Sequence, residues 1–278
     1  MTTAHSVAKI AGERHGYLAD SLSRVDRRQE RAEIRFGLPT SGADAWISCA
    51  DFLATPEAIP RWREGLTEWL VDTYGESPDR TTAGYVMTWY LTIPGYVAGL
   101  LFHHERRVPS LRPEDLAFRM AEPRPHPDGT AVLSPEFACL PDDPAAGTPA
   151  ATVVADERGL AALLRDRFIA HATRFVDVFT PQVRLGRHML WAAATDVLDN
   201  ALWLSGRYGG DEAAGALDAG LVLNARHSPL TSASTLRTVS DEAGRAQWTR
   251  RRESCCFHYL ITTGQGTCGT CPRLCRKS

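Results

Sequence analysis

Apolar residues recur at three- and four-residue steps through several long stretches of the chain, and between these lie segments where they alternate or thin out. Val7, Ile10, Ala11, Tyr17, Leu18 and Leu22 line one face of a helix predicted over 6–23, with Ser6 placed to cap it. Ala32, Ile34 and Phe36 alternate with Glu33 and Arg35 and predict a strand. Residues 46–53, beyond a Pro-Thr-Ser-Gly turn at 39–42, are expected to form its partner. Ile59, Trp62, Leu66, Trp69, Leu70 and Tyr74 predict a helix over 56–74 with one buried face. Residues 83–102 carry no formal charge over twenty positions, enough to span a bilayer. Thr88, Thr92, three tyrosines and the Pro94-Gly95 pair instead favour two buried helices broken near the middle.

Pro, Gly and Asp are dense over 108–149, which predicts a hairpin loop at 122–129 between short strands and an exposed loop at 141–149. Beyond it the helical period returns. Leu160, Leu164, Phe168, His171, Phe175 and Phe179 fall on one face, as do Leu190, Ala194, Val197, Leu198, Ala201 and Leu202, and 211–223 predicts a shorter helix. Residues 231–239 fit neither period. The pattern predicts an α+β, predominantly helical protein. An irregular α+β region over 1–149 is followed by a helical region over 150–249 and a cysteine-rich tail over 250–278, all free to pack as one unit.

With 278 residues, 44% of them hydrophobic and 23% charged, the chain can bury a real core, which excludes a disordered segment or a coiled-coil rod. A net charge of −2 argues against a nucleic-acid partner. The first residues hold Lys9, Glu13 and Arg14 and no apolar run of the secretory kind, so a cytoplasmic location is expected. No transmembrane anchor is expected, and peripheral association with a membrane stays open. No Ser-His-Asp order, HExxH helix or Walker loop appears. Gly264–Gly269 matches G-x-G-x-x-G but follows no strong strand, so it does not read as a nucleotide loop. His103 and His104 read as a surface pair at a helix end. Trp89, Tyr90 and Tyr96 read as core, Asp196 and Asn200 as solvated, and Cys49 and Cys139 as buried apolar residues.

The chemistry concentrates at the end of the chain. Five of the seven cysteines, Cys255, Cys256, Cys268, Cys271 and Cys275, lie in the last 24 residues. An odd number of thiols in a large chain with no export signal argues against a disulfide framework and for metal-bound thiolates. Cys268-Gly269-Thr270-Cys271 is a C-x-x-C knuckle, and eleven residues separate it from Cys255-Cys256, giving C-C-x11-C-x2-C. Adjacent cysteines are awkward for one tetrahedral zinc and easier for a binuclear cluster, so on spacing alone both occupants remain open. With zinc, the tail would be a structural surface of a non-enzymatic interaction module.

The run Arg251-Arg252-Glu253-Ser254-Cys255-Cys256-Phe257-His258-Tyr259, followed by Cys268-Gly269-Thr270-Cys271-Pro272, resembles the carboxy-terminal signature of the ferric siderophore reductases of the FhuF type. Residues 186–191 also look like family sequence. The resemblance implies a 2Fe-2S cluster held by Cys255, Cys256, Cys268 and Cys271, with the spacer one residue longer than the family's usual ten and Cys275 left as a spare thiol. His258 and Arg252 become candidates to tune the cluster through hydrogen bonds to sulfur. It also implies one-electron reduction of siderophore-bound iron(III), with hydroxamates among the expected ligands, by an external donor such as a ferredoxin or a reductase. The cluster itself would then be the catalytic group, with no separate acid or base. Arg250, Arg251, Arg252, Arg273, Arg276 and Lys277 against Glu253 give the tail a side-chain charge of +5, which would raise the potential of such a cluster.

Overall fold

The least charged stretch of the sequence becomes the centre of the molecule. The computed structural model describes residues 16–241, 243–262 and 268–273. Helix makes up about 51% of it and strand about 14%, an α+β fold in which helix predominates. Helix α1 covers 16–26 among the described residues, three positions beyond the predicted end; the earlier part of the predicted helix, 6–15, lies outside them. It is followed by β1 (Glu33–Phe36), β2 (Trp46–Ser48), α2 (Cys49–Ala54) and α3 (Ala58–Tyr74). The central helix α4 (Asp79–Glu105) is continuous through Pro94, so the predicted break does not occur. Apolar packing on every side outweighs the roughly 3 kcal/mol that an internal proline costs. By length and composition α4 could cross a membrane, but 78% of its most apolar window is buried against the rest of the protein.

Three further helices, α5 (Glu157–Phe179), α6 (Arg187–Tyr208) and α7 (Glu212–Val222), close over α4, and the residues predicted to face inward from α5 and α6 are buried. Helices α4 and α6 approach closely where α4 has no side chain. A Cβ on Gly95 would stand 2.9 Å from Val197 Cγ1, and one on Gly99 would stand 3.1 Å from Ala201 Cβ. This crossing fixes α6, and with it Asp196 and Asn200, against the outer half of α4.

Strands β3 (Arg107–Pro109), β4 (Leu116–Met120), β5 (Pro127–Val132), β6 (Phe137–Cys139) and β7 (Ala151–Val153) complete two small sheets. The larger has the order β1-β5-β4-β2 and the smaller β3-β6-β7. The predicted pairing of 32–36 with 46–53 is therefore wrong. Both segments join one sheet, but at opposite edges, with β4 and β5 between them. Only 46–48 is strand, because Ser48 Oγ accepts from the N–H groups of Ala50 and Asp51 and starts α2. The hairpin at 122–129 is real and shorter than expected, since β5 already begins at Pro127.

His103 and His104 are not a surface pair. Helix α7 covers the end of α4, His103 Nδ1 lies 2.7 Å from the Asp218 carboxylate, and burial pushes His104 down to about 4. Burial likewise pushes the Cys49 thiol up to about 12, in keeping with an inert core residue.

His171 is 1% exposed; its Nδ1 lies 2.7 Å from the Leu111 carbonyl, to which it must donate, and its Nε2 accepts from Tyr90 Oη at 3.0 Å. Burial pushes it down from 6.5 to about 4. Between those values the unfolded chain binds a proton that the native state refuses, so stability falls as pH falls. The expected loss at pH 5 is about 2 kcal/mol, beginning above the range in which carboxylates titrate. Urea unfolding at pH 7.5, 6 and 5 checks it: the midpoint should drop across this range, and a flat midpoint would contradict it.

Candidate metal centre

After the hairpin β8 (Arg237–Ser240) and β9 (Ala246–Thr249), the chain crosses α6 and then the start of α4. Asp196 on α6 holds it there. Its carboxylate accepts from Glu253 N at 2.9 Å, Ser254 N at 2.7 Å and Ser254 Oγ at 2.5 Å, while Arg250 Nη1 donates to its carbonyl at 2.5 Å. One turn further, Asp199 accepts from Ser234 Oγ at 2.6 Å and from Thr235 N at 3.3 Å, and Thr235 Oγ1 donates to the Arg251 carbonyl at 2.8 Å. Asp196 is 5% exposed, so the expectation that it is solvated is corrected. The apolar period of α6 says nothing about a face that a distant, irregular segment covers.

Cys255 is buried and Cys256 half-buried in a turn that α4 clamps. Phe257 adopts a left-handed backbone at φ 60°, its N–H points at Cys255 Sγ at 3.4 Å, and its carbonyl accepts from Thr81 Oγ1 at 2.9 Å. The Arg80 guanidinium lies 4.6 Å from the Phe257 ring centroid. Gly84 makes room for this turn, since a Cβ there would stand 2.9 Å from the Cys256 carbonyl oxygen and 3.0 Å from Phe257 Cδ2. Gly to Ala inside a helix normally stabilises by up to about 1 kcal/mol. Gly84→Ala is expected to do the reverse and to lower iron retention after desalting, because the atom in the way is backbone. Iron per chain at wild-type level would contradict this.

The second pair sits in a tight turn in which Cys271 N donates to the Cys268 carbonyl at 2.9 Å. Cys271 is buried and Cys268 exposed, and Arg273 lies 3.8 Å from the Tyr259 ring centroid. Arg252 stands between the pairs with a side chain only 12% exposed. Its Nη1 is 3.7 Å from Cys268 Sγ, its Nε is 3.8 Å from Asp196 Oδ2, and that buried Nε has no hydrogen-bond partner. Burial works against the charge of Arg252, but Asp196, Cys256 and Cys268 outweigh it and hold its pKa up. The Cys255 thiol is pushed up by burial first, then by Cys256 and Cys271, against the opposing Phe257 N–H.

Among the described residues no three His, Cys, Asp or Glu side chains come close enough to hold a metal ion as they stand. Arg252 lies beside Cys268 and Cys256, while the Cys255-Cys256 turn packs against α4 and Cys268 and Cys271 share the knuckle. The donor set fits an anionic sulfur cluster, because thiol sulfurs are weak acceptors and a buried guanidinium with a free Nε–H calls for stronger ones.

His258, a candidate to bond cluster sulfur, places Nδ1 2.7 Å from Tyr85 Oη and packs edge-on to Tyr74. Burial and then Cys256 push the Tyr85 hydroxyl up to about 12. Cys275, Arg276 and Lys277 lie outside the described residues. Of the other tail cations, Arg250 and Arg252 are built into the fold, and Arg251 is paired with Glu253 at 2.9 Å.

Cys256 opens onto a groove with two adjoining lobes of about 230 and 260 Å³. Tyr85, Thr88, Trp89, Thr92 and Tyr96 of α4 form its floor, faced by Asn200 and Ala201 of α6 and by Arg31, Arg124, Arg250 and Arg252. Tyr90 and Tyr96 are buried as expected, whereas Trp89 is half-buried on this floor. A signal for it exists in the sequence: Thr88 and Thr92 interrupt an otherwise apolar helix four residues apart, flanked by aromatics.

Residues 252–273 match the family described as the FhuF 2Fe-2S C-terminal domain. This segment is a cluster domain of the FhuF type, and its group is a 2Fe-2S cluster, which resolves the choice that spacing left between zinc and iron. No curated protein was found to match the chain.

Proposed function

We propose that the chain is a ferric siderophore reductase that transfers one electron to chelated iron(III) and so releases iron(II). The observation that supports this most is the position of Cys256, one sulfur of a matched 2Fe-2S domain, in the wall of an open groove. Cys255, Cys256, Cys268 and Cys271 would hold the cluster, which when bound supplies single electrons at a potential set by its surroundings. Iron(III) is small and hard and binds hydroxamate or catecholate oxygens far more tightly than iron(II) does. A single electron therefore loosens the complex without breaking a bond of the siderophore.

The chain's own residues supply orientation and field. Asp196 and Gly84 fix the Cys255-Cys256 turn against two rigid helices, and Arg252 places a buried positive charge beside Cys256 and Cys268. A cation about 8 Å from the cluster, at an effective dielectric near 20, favours the reduced form by roughly 2 kcal/mol. Exposed Cys268 is the sulfur accessible to an electron-donor protein, while Cys256 faces the groove. The work takes place in the cytoplasm, with no nucleic acid involved.

The test is anaerobic turnover. Holoprotein supplied with a one-electron donor should convert a ferric siderophore to a ferrous complex captured by an iron(II) chelator. Protein stripped of iron and sulfide should fall to the background rate and recover on reconstitution. Equal rates for holoprotein and stripped protein would contradict the proposal.

A further inference from the structure

Two residues other than glycine have a left-handed backbone among the described residues, Arg106 at φ 48° and Phe257 at φ 60°. Arg106 ends α4, where that conformation is usual. Phe257 ends no helix, and a bulky residue adopts these angles only where its surroundings impose them. Here they do. The buried Thr81 donates through Oγ1 to the Phe257 carbonyl at 2.9 Å, and Leu260 N donates to the same oxygen at 3.0 Å. The Phe257 ring is 4% exposed, with the Arg80 guanidinium 4.6 Å from its centroid.

The peptide between Cys256 and Phe257 is trans, so its carbonyl and its N–H point in opposite directions from one rigid plane. The carbonyl oxygen rests on Gly84, where a Cβ would stand 2.9 Å away, and on the other edge Phe257 N lies 3.4 Å from Cys255 Sγ. Gly84 and Thr81, one turn apart on α4, thus hold this residue from both of its ends.

We infer that the left-handed turn at Phe257 aims its N–H at the Cys255 sulfur, and that Thr81 and Gly84 are positioning residues that set the reduction potential of the centre through it. The inference rests on Cys255 being a ligand, and it names what adjusts the driving force of the proposed reduction. A thiolate ligand carries more negative charge once the centre has gained an electron. A hydrogen bond to its sulfur is then stronger, so the potential is higher with the N–H than without it. This acts at Cys255, whereas the Arg252 charge acts at Cys256 and Cys268.

The test is the midpoint potential of the holoprotein, read by anaerobic titration of the visible band with no siderophore present. A synthetic tail joined at Cys255 can carry phenyllactate, the α-hydroxy counterpart of phenylalanine, at position 257, which replaces the N–H by an ester oxygen and keeps the ring. Protein with the natural sequence, joined in the same way, is the control. The reduction constant should fall about tenfold, the scale of one hydrogen bond to a charged sulfur, which is about 59 mV for one electron. Thr81→Val should lower it in the same direction by about threefold, because Leu260 N still holds the carbonyl, and Thr81→Ser should restore it. Only chains that hold a cluster report a potential, so the partial cluster loss that a purely structural role would cause does not move the reading.

An unmoved potential in the phenyllactate protein, or equal potentials in Thr81→Val and Thr81→Ser, would overturn the inference while leaving iron(III) reduction standing. Should Cys255→Ser keep the wild-type spectrum, Cys255 is no ligand and the inference falls with it. A lowered potential in a protein that reduces no ferric siderophore would support the inference and overturn the reductase. If the Thr81 variants do not fold, the phenyllactate protein decides the matter alone.

Discussion

Asp196→Ala is expected to strip the protein of most of its iron while leaving the helical core folded. The carboxylate sits 5% exposed and receives two backbone N–H groups and one hydroxyl from Glu253 and Ser254, directly before the first cysteine pair. Alanine leaves those donors buried without an acceptor and removes the carboxylate that lies 3.8 Å from Arg252 Nε. Breaking a buried charge network of this kind costs about 3 kcal/mol, which moves a docking equilibrium by roughly a hundredfold. The cost falls on the tail, because Val197, Ala201 and their neighbours still pack α6 onto α4. Iron per chain should collapse, and the far-ultraviolet helical signal should persist. Asp196→Asn keeps the shape and one acceptor oxygen and should lose less iron than the alanine variant. Equal iron in wild type and Asp196→Ala would show that the contacts at Ser254 do not support the centre.

The second large effect separates the four proposed ligands from Cys275, the thiol proposed as spare. Cys255→Ser, Cys256→Ser, Cys268→Ser and Cys271→Ser each exchange a soft donor for a hard one at nearly constant volume. Each is expected to lose the red-brown colour, about two irons per chain, and ferric siderophore reduction to background. Cys275→Ser should keep all three. Iron and acid-labile sulfide, assayed beside the visible spectrum, check the set. Loss in Cys275→Ser with retention in Cys271→Ser would move the knuckle ligand four residues along the chain.

Much of this site was legible in the sequence, and the missing parts share one physical cause. The cysteine pairs and the helices beneath them announce themselves through spacing and period, which are local. The stripe from Leu160 to Phe179 and the knuckle at Cys268 needed no tertiary knowledge. Asp196 was hidden because a carboxylate on a helix reads as solvated until an irregular segment some sixty residues away is known to cover it. Gly84 was hidden because a small residue in an apolar helix is indistinguishable from filler, and its role is a 2.9 Å approach to a distant carbonyl. The strands at 33–36 and 46–48 alternate as strands should, but alternation says nothing about which neighbour is taken, and β4 and β5 come between them. Pro94 reads as a stop signal and is overridden by packing around the whole circumference of α4.

The most direct test of electron transfer to chelated iron is a single turnover. Anaerobic protein is bleached with one electron equivalent, freed of excess reductant, and mixed with a ferric siderophore in the presence of an iron(II) trap. The visible band should return, and one iron(II) should be captured for each cluster reoxidised. A band that stays bleached, or one that returns with no iron(II) captured, would contradict the account.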